Sequence, residues 1–196
     1  AMRKVILMMQ VSLDGFIEGP GQDLSWHRVD DELHSHFNEL LGTMGAFLDG
    51  RVTYELMADY WPTADQDPSN AAPEIEFAGI WRDMPKIVYS RTLAKAGWNT
   101  EVVGDVVVED VLKLKDQPGG DLALGGATLS AAFRRLGLID EYRIYVHPVL
   151  IGRGKPLFED TDAMTPLRLL ETRAFGNGVV LLRYAAEPDA AHAKDR

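Results

Sequence analysis

The chain contains no cysteine. Disulfides, thiolate metal sites and cysteine nucleophiles are therefore excluded. Basic charge is scarce: 20 Lys and Arg stand against 30 Asp and Glu, a formal net charge of −10. No basic cluster interrupts that background, and such a surface repels a polyanion, which argues against nucleic acid as a partner. Long apolar runs are missing as well. Val5-Ile6-Leu7-Met8-Met9 ends at Gln10, too short for a membrane span. No small-residue cleavage site follows, so the run reads as a strand and the expected compartment is the cytoplasm. Neither a Ser/Gly linker nor an internal repeat is present. The 196 residues thus read as a single domain, with a core over 3–185 and a disordered tail over 186–196. Hydrophobic residues at 46% and charged residues at 26% are ordinary globular composition.

The order of patterns gives the fold class. Residues 5–13 are apolar and branched and end at the turn dipeptide Asp14-Gly15. After a polar loop over 18–23, Leu33, Phe37, Leu40, Leu41 and Met44 recur at helical spacing, with Asp30, Asp31 and Glu32 in the first turn, where the helix dipole favours negative charge. Strands follow at 46–50, 86–90, 100–104 and 121–124, and helices at 52–60, 74–82 and 105–116, the last with Val108, Val111 and Leu112 inward. Residues 63–73 read as loop. A helix from the Gly125-Gly126 turn to Leu136 carries Leu129, Phe133 and Leu136 on one face and closes at Gly137. Beyond it, 142–147 alternates as a strand and 149–151 continues it. Runs at 167–175 and 179–185 flank Gly176-Asn177-Gly178, a hairpin signal. Alternating α/β units followed by consecutive strands predict a central mixed, mostly parallel sheet flanked by helices, with antiparallel C-terminal strands.

Chemistry-bearing segments cluster at strand ends. Leu122-Ala123-Leu124-Gly125-Gly126-Ala127-Thr128-Leu129 runs from a buried strand through two glycines into a helix. Glycines there admit a ligand close to the backbone, and the helix-start N–H groups attract phosphate. Such turns also occur for steric reasons alone. Gly50-Arg51-Val52-Thr53-Tyr54-Glu55 repeats the arrangement with a guanidinium and a hydroxyl. Ser90-Arg91-Thr92 is a third such end. Three strand ends of this kind argue for a ligand with several phosphates on the carboxyl edge of the sheet. No Walker motif and no complete G-x-G-x-x-G is present. Asp14 reads first as a turn residue. Asp31 opens a helix, where dipole complementarity explains it; covered by Trp26 it would suit acid catalysis. His27, His34, His36, His147 and His192 show no ligand spacing, so no metal is expected. Trp61, Trp81 and Trp98 read as core or rim aromatics.

These segments together resemble the dihydrofolate reductase-like superfamily, and within it the reductase (C-terminal) domain family of the bifunctional riboflavin biosynthesis deaminase-reductase. The likeness runs from Val5 to about Tyr184. It rests on Ser12-Leu13-Asp14-Gly15, Gly50-Arg51-x-Thr53-Tyr54-Glu55, Lys86-x-Val88-x-Ser90-Arg91-Thr92, Gly125-Gly126-Ala127-Thr128-Leu129, and His147-Pro148-Val149-Leu150-x-Gly152-x-Gly154-Lys155-Pro156-Leu157-Phe158. The resemblance implies a dihydrofolate reductase-like fold, NADPH as hydride donor and a homodimer paired through the late strands. By position, Gln10 and Ile17 would offer backbone groups to the nicotinamide carboxamide. Gly50, Arg51, Thr53 and Tyr54 would hold phosphates and the adenosine side, and Ser90, Arg91 and Thr92 the adenine ribose and its 2′-phosphate. Gly125, Gly126, Ala127, Thr128 and Leu129 would cradle the pyrophosphate. Trp26 precedes Asp31 by five residues, the dihydrofolate reductase spacing of tryptophan to active-site acid. Asp31 is thus the candidate acid, with Asp14 and Trp26 at the substrate. The proline pattern between them and the residues that grip a ribityl phosphate are missing. The expected activity is NADPH-dependent reduction of a small heterocyclic or carbonyl substrate, resembling 5-amino-6-(5-phosphoribosylamino)uracil reductase. The alternative is a non-catalytic NADPH- or nucleotide-binding module that has lost the substrate site.

Overall fold

Strands and helices alternate along the computed structural model, which describes residues 2–159 and 163–187. Among them are strands β1 (Val5–Ser12), β2 (Phe16–Glu18), β3 (Ala46–Gly50), β4 (Lys86–Tyr89), β5 (Thr100–Val103), β6 (Leu122–Leu124), β7 (Glu141–His147), β8 (Lys155–Pro156), β9 (Leu167–Ala174) and β10 (Val180–Ala186). The helices are α1 (Asp31–Leu41), α2 (Arg51–Tyr60), α3 (Ala72–Asp83), α4 (Val108–Asp116) and α5 (Ala127–Arg135). Chain contacts divide these residues into two units, 2–5 with 29–138, and 6–28 with 139–159 and 163–187.

In the first unit the strand order is β5-β4-β3-β6, every neighbouring pair parallel. Phe47, Leu48, Val88, Leu122 and Leu124 are buried, as continuous apolar runs in a parallel sheet require. Helix α1 starts where Asp30 accepts a hydrogen bond from the Leu33 N–H at 3.0 Å, an N-cap that satisfies one orphan donor. Lys86 opens β4 fully buried. Its Nζ donates to the carbonyls of Trp81, Met84 and Trp98 at 2.5, 2.8 and 2.6 Å and lies 4.3 Å from the Trp81 ring centre. The ammonium thereby satisfies carbonyls left at the end of α3 and in the β5 approach.

In the second unit the order is β1-β7-β10-β9. β1 runs parallel to β7, while β10 is antiparallel to both β7 and β9. β2 and β8 form a separate antiparallel pair. The sheet is thus mixed and mostly parallel, flanked by helices and finished by antiparallel C-terminal strands, as expected from the sequence.

Several local readings need correction. Leu112 is 42% exposed: α4 begins at Val108, so its inward stripe passes through Val111 and Lys115, four residues apart. Leu136 lies beyond the last turn of α5 as its C-cap and is exposed, off the face made by Leu129 and Phe133. Within 63–73, a 3-10 turn runs over Trp61–Gln66 and α3 has already begun at Ala72. Residues 149–151 do not extend β7, which stops before Pro148, a residue without a ladder donor. Of the tail expected to be disordered, Ala186 closes β10 and 188–196 lie outside the described residues.

Candidate functional site

Parallel pairing carries three distant segments of the first unit to one edge. Because β4, β3 and β6 are neighbours running the same way, Ser90-Arg91-Thr92, Gly50-Arg51 and Gly125-Gly126 all leave from adjacent carboxyl ends. Two helices start there. α2 begins at Arg51 behind Gly50 and α5 at Ala127 behind Gly126, and neither cap residue has a side chain to satisfy the first N–H groups. Such starts attract anions. Gly126 has φ +88°, and a Cβ on it would meet Thr53 Oγ1 at 2.9 Å. The two helix starts therefore approach each other as closely as a glycine permits.

The other candidates of this unit have definite partners. Arg51 pairs with Glu55 at 2.9 Å on the surface. Tyr54 is buried, its hydroxyl bonded to Gly97. Ser90 Oγ accepts from the N–H groups of Thr92 and Leu93, folding a tight turn. Arg91 is largely exposed and held by Asp105 at 2.6 Å. Ala127 is half-buried, Thr128 exposed and Leu129 buried in the first turn of α5. Asp31 is exposed at the first position of α1.

Asp49, one residue before Gly50, is a charged residue on β3. It is 7% exposed, and its Oδ1 lies 3.9 Å from where a Cβ of Gly125 would stand. Burial pushes its pKa up to about 7, against the pull of Lys86. Burial likewise lowers Lys86 to about 8, with Asp49 opposing. A carboxyl that exchanges its proton near neutrality thus sits beside the glycine turn. The signal was present: a charged residue inside an apolar strand is costly and needs a reason.

In the second unit Asp14 is engaged rather than open. Its carboxylate accepts from Ser12 Oγ at 2.6 Å and from the Ile151 and Gly152 N–H groups at 3.3 and 2.8 Å. The hydroxyl of Ser12 in turn accepts from the Phe16 N–H. These bonds lower the Asp14 pKa, the Ser12 hydroxyl most. Asp14 therefore clamps the β1 turn to the segment after β7. Trp26 donates to the Asp23 carbonyl and packs edge-on against His27 and His147, ring centres 4.3 and 5.6 Å away. His147 is fully buried, accepts from the Arg28 N–H at 3.0 Å and lies 2.7 Å from Gln10 Oε1. Burial, aided by His27 and Arg28, lowers its pKa to about 4. His27 stacks on it at 5.3 Å, with Nε2 buried and lacking a partner; desolvation lowers its pKa too, while the Ile17 carbonyl beside it opposes. The structure therefore brings Gln10, Ile17 and Trp26 together around two histidines that spacing did not single out. Lone histidines carry no sequence period.

Among the described residues no cluster of His, Asp or Glu could hold a metal, and no helix is long and apolar enough to cross a membrane.

Residues 3–181 match the family model described as the RibD C-terminal domain. The chain belongs to that family. It is 38% identical over 183 residues to the uncharacterized protein YyaP of Bacillus subtilis (strain 168), covering 93% of this chain and 94% of that one. A putative riboflavin biosynthesis protein from Shewanella sp. PV-4 superposes with a TM-score of 0.74 at 19% identity, over 94% of this chain and 99% of that one. Dihydrofolate reductase from Enterococcus faecalis, solved with NADP(H), superposes with a TM-score of 0.61 at 17% identity, over 94% and 97% of the two chains. The fold is dihydrofolate reductase-like.

Asp49 gives a pH-dependent stability whose sign follows from the raised pKa. In the unfolded chain it loses its proton near the ordinary carboxylate value of 3.8, whereas the folded protein holds that proton up to about 7. Its contribution is complete at low pH and is lost as pH rises through that window. Asp49→Asn keeps the shape and cannot ionise. Its stability advantage in urea unfolding should grow between pH 5 and pH 8, reaching on the order of 1–3 kcal/mol. A constant or shrinking difference would reverse the assignment.

Proposed function

We propose that the protein is an NADPH-dependent reductase of a small heterocyclic or carbonyl compound, of the riboflavin-pathway type and resembling 5-amino-6-(5-phosphoribosylamino)uracil reductase. The observation that carries this reading is the pair of helix starts meeting at Gly126 and Thr53 without side-chain caps. It fits a pyrophosphate, which needs backbone N–H donors and room for close approach. Membership of the RibD C-terminal domain family supports it.

In this reading Gly50, Arg51, Thr53 and Tyr54 hold the phosphates and the adenosine side. Gly125, Gly126, Ala127, Thr128 and Leu129 cradle the pyrophosphate, and Ser90, Arg91 and Thr92 take the adenine ribose with its 2′-phosphate. In the second unit the backbones of Gln10 and Ile17 meet the nicotinamide carboxamide. When bound, NADPH supplies the hydride. Asp31 delivers the proton, and Asp14 and Trp26 belong to the substrate side, Asp14 by fixing its turn and Trp26 as an aromatic wall. The chain works as a single domain in the cytoplasm.

The protein acts as a homodimer. Val11, Ile144, Val146, Leu157, Phe158, Val180 and Leu182 line an apolar groove of the second unit, and Leu167, Leu169 and Leu170 are exposed on β9. Uncovered apolar strands of this kind favour pairing with another chain. Light scattering at micromolar concentration should give twice the monomer mass, and a monomer mass would contradict it.

Arg91→Ala should weaken NADPH much more than NADH. Loss of one charge-assisted phosphate contact should raise Kd roughly tenfold or more. Equal losses for both cofactors in parallel titrations would remove Arg91 from the 2′-phosphate.

Steady NADPH oxidation across a panel of carbonyl and heterocyclic acceptors separates an enzyme from a binding module. With a working acceptor, Asp31→Asn should leave NADPH affinity intact and slow hydride transfer by ~10²-fold or more. Full turnover would leave Asp31 with only its place in the dipole field of α1.

A further inference from the structure

One hydrogen-bond chain in the second unit ends on an amide whose donors meet no acceptor among the described residues. The β1–β7 register pairs Gln10 with Tyr145 and Ser12 with His147, so these four residues share one face of the sheet. Val11 and Val146, paired with each other, face the opposite way and line the apolar groove. On the polar face the chain starts at a backbone group that cannot change its character. The Arg28 N–H is a donor, and it points at His147 Nδ1 from 3.0 Å. Nδ1 must accept, so the one proton of the neutral imidazole resides on Nε2. Nε2 then donates across 2.7 Å to Gln10 Oε1.

This arrangement decides which end of the glutamine amide is committed. The oxygen is taken by His147, and the NH2 group keeps two donors. No described residue accepts from it, and Gln10 is half-buried rather than immersed in solvent. His147 cannot turn away: it is fully buried, stacked by His27 at 5.3 Å and edge-packed by Trp26 at 5.6 Å. Protonating His147 would set Nδ1–H against the Arg28 N–H. The groups facing the ring are His27, Arg28, Trp26 and Gln10, and none of them is anionic. The neutral form is therefore built in.

We propose that the Gln10 side-chain amide is the donor that binds the carbonyl oxygen of the substrate, and that His147 is the residue positioning it. The proposal rests on the reductase reading for the identity of the ligand as a substrate. The donor geometry stands apart from the cofactor. A preoriented donor costs little reorganisation when it meets an acceptor, and its selectivity lies in rejecting a ring that lacks the oxygen. The ligand class is a flat unsaturated ring bearing a carbonyl, against the indole of Trp26.

The probe is 2-pyridone, compared with pyridine, titrated without cofactor and followed by Trp fluorescence and ligand-detected NMR. Wild-type protein should favour 2-pyridone by tenfold or more. Gln10→Glu keeps an oxygen acceptor for His147 and deletes the donor. Gln10→Met deletes both. Each should abolish the preference, and Gln10→Met, which leaves the buried His147 Nε2–H without an acceptor, should also lower the thermal midpoint. In ¹⁵N spectra at pH 7, His147 should show a protonated Nε2 and a bare Nδ1. His147→Phe should lower the preference and be rescued by no change at Gln10. Absence of a carbonyl preference in the wild type, a preference retained by Gln10→Glu, or the opposite tautomer of His147 would each overturn the proposal. A wild-type protein that prefers 2-pyridone but binds no NADPH would sink the reductase reading and leave the Gln10 donor standing.

Discussion

Because β3 pairs in parallel with β4 on one side and with β6 on the other, everything at the carboxyl edge of the first unit follows from one ladder. The register places Gly50 opposite Tyr89, and Leu48 opposite Leu124. Each strand therefore ends within a residue or two of its neighbours, and three segments far apart in the chain emerge side by side. Parallel strands bury both faces, which accounts for the apolar runs of β3 and β6 and leaves polar chemistry to the turns. The glycines then act as spacers. Gly126 lets α5 begin against Thr53, where any side chain would push the two helix starts apart. Slippage of that ladder by one residue would turn Asp49 to the opposite face and remove the site.

The second unit solves a different problem. Its β1–β7 ladder must hold a polar face and an apolar one on the same strands, so the alternation along β1 is what separates Gln10 and Ser12 from Val11. On the polar face every hydrogen bond has a direction imposed from the backbone outward. The Arg28 N–H fixes His147, and His147 fixes the Gln10 amide. A buried imidazole is costly when charged, and three rings packed together, Trp26, His27 and His147, remove the water that would stabilise the cation. The low pKa of His147 is thus a consequence of the same packing that orients it.

Much of this fold was legible in the sequence because its longer elements have strong periods. The acidic start of α1 and the Gly176-Asn177-Gly178 hairpin are local signals with local causes, whereas the start of α3 at Ala72 fell inside a stretch read as loop. Leu112 misled because the adjacent Val111 and Leu112 can be read on two faces of a short helix, and burial of Val111 and Lys115 decides between them. The β2–β8 pair has three and two residues, too few for any alternation to register. The strand ends around Gly50, Ser90 and Gly125 could be named as candidates from turn chemistry alone. That they share one edge was an inference from strand order. His27 and His147 were not legible as site residues, since what matters in each is a neighbour more than 25 positions away, whereas Asp49 carried a signal as a charge inside an apolar strand.

Asp49 shows how the two kinds of constraint meet. A carboxylate at an anion-attracting strand end opposes the purpose of the helix starts, and an ionised one would repel phosphate across a few ångströms. Lys86 offsets part of that charge from the adjacent strand, but its own ammonium is already committed to the carbonyls of Trp81, Met84 and Trp98. Burial does the rest by favouring the protonated acid. A neutral carboxyl beside Gly125 is a hydrogen-bond donor as well as an acceptor, and bound phosphate nearby would hold its proton more firmly still, since a second negative charge raises the pKa further. The same residue that is unfavourable in an empty, alkaline site becomes compatible with the edge once an anion is present. The sheet can therefore tolerate an acid at a position where its neighbours on β3 are apolar.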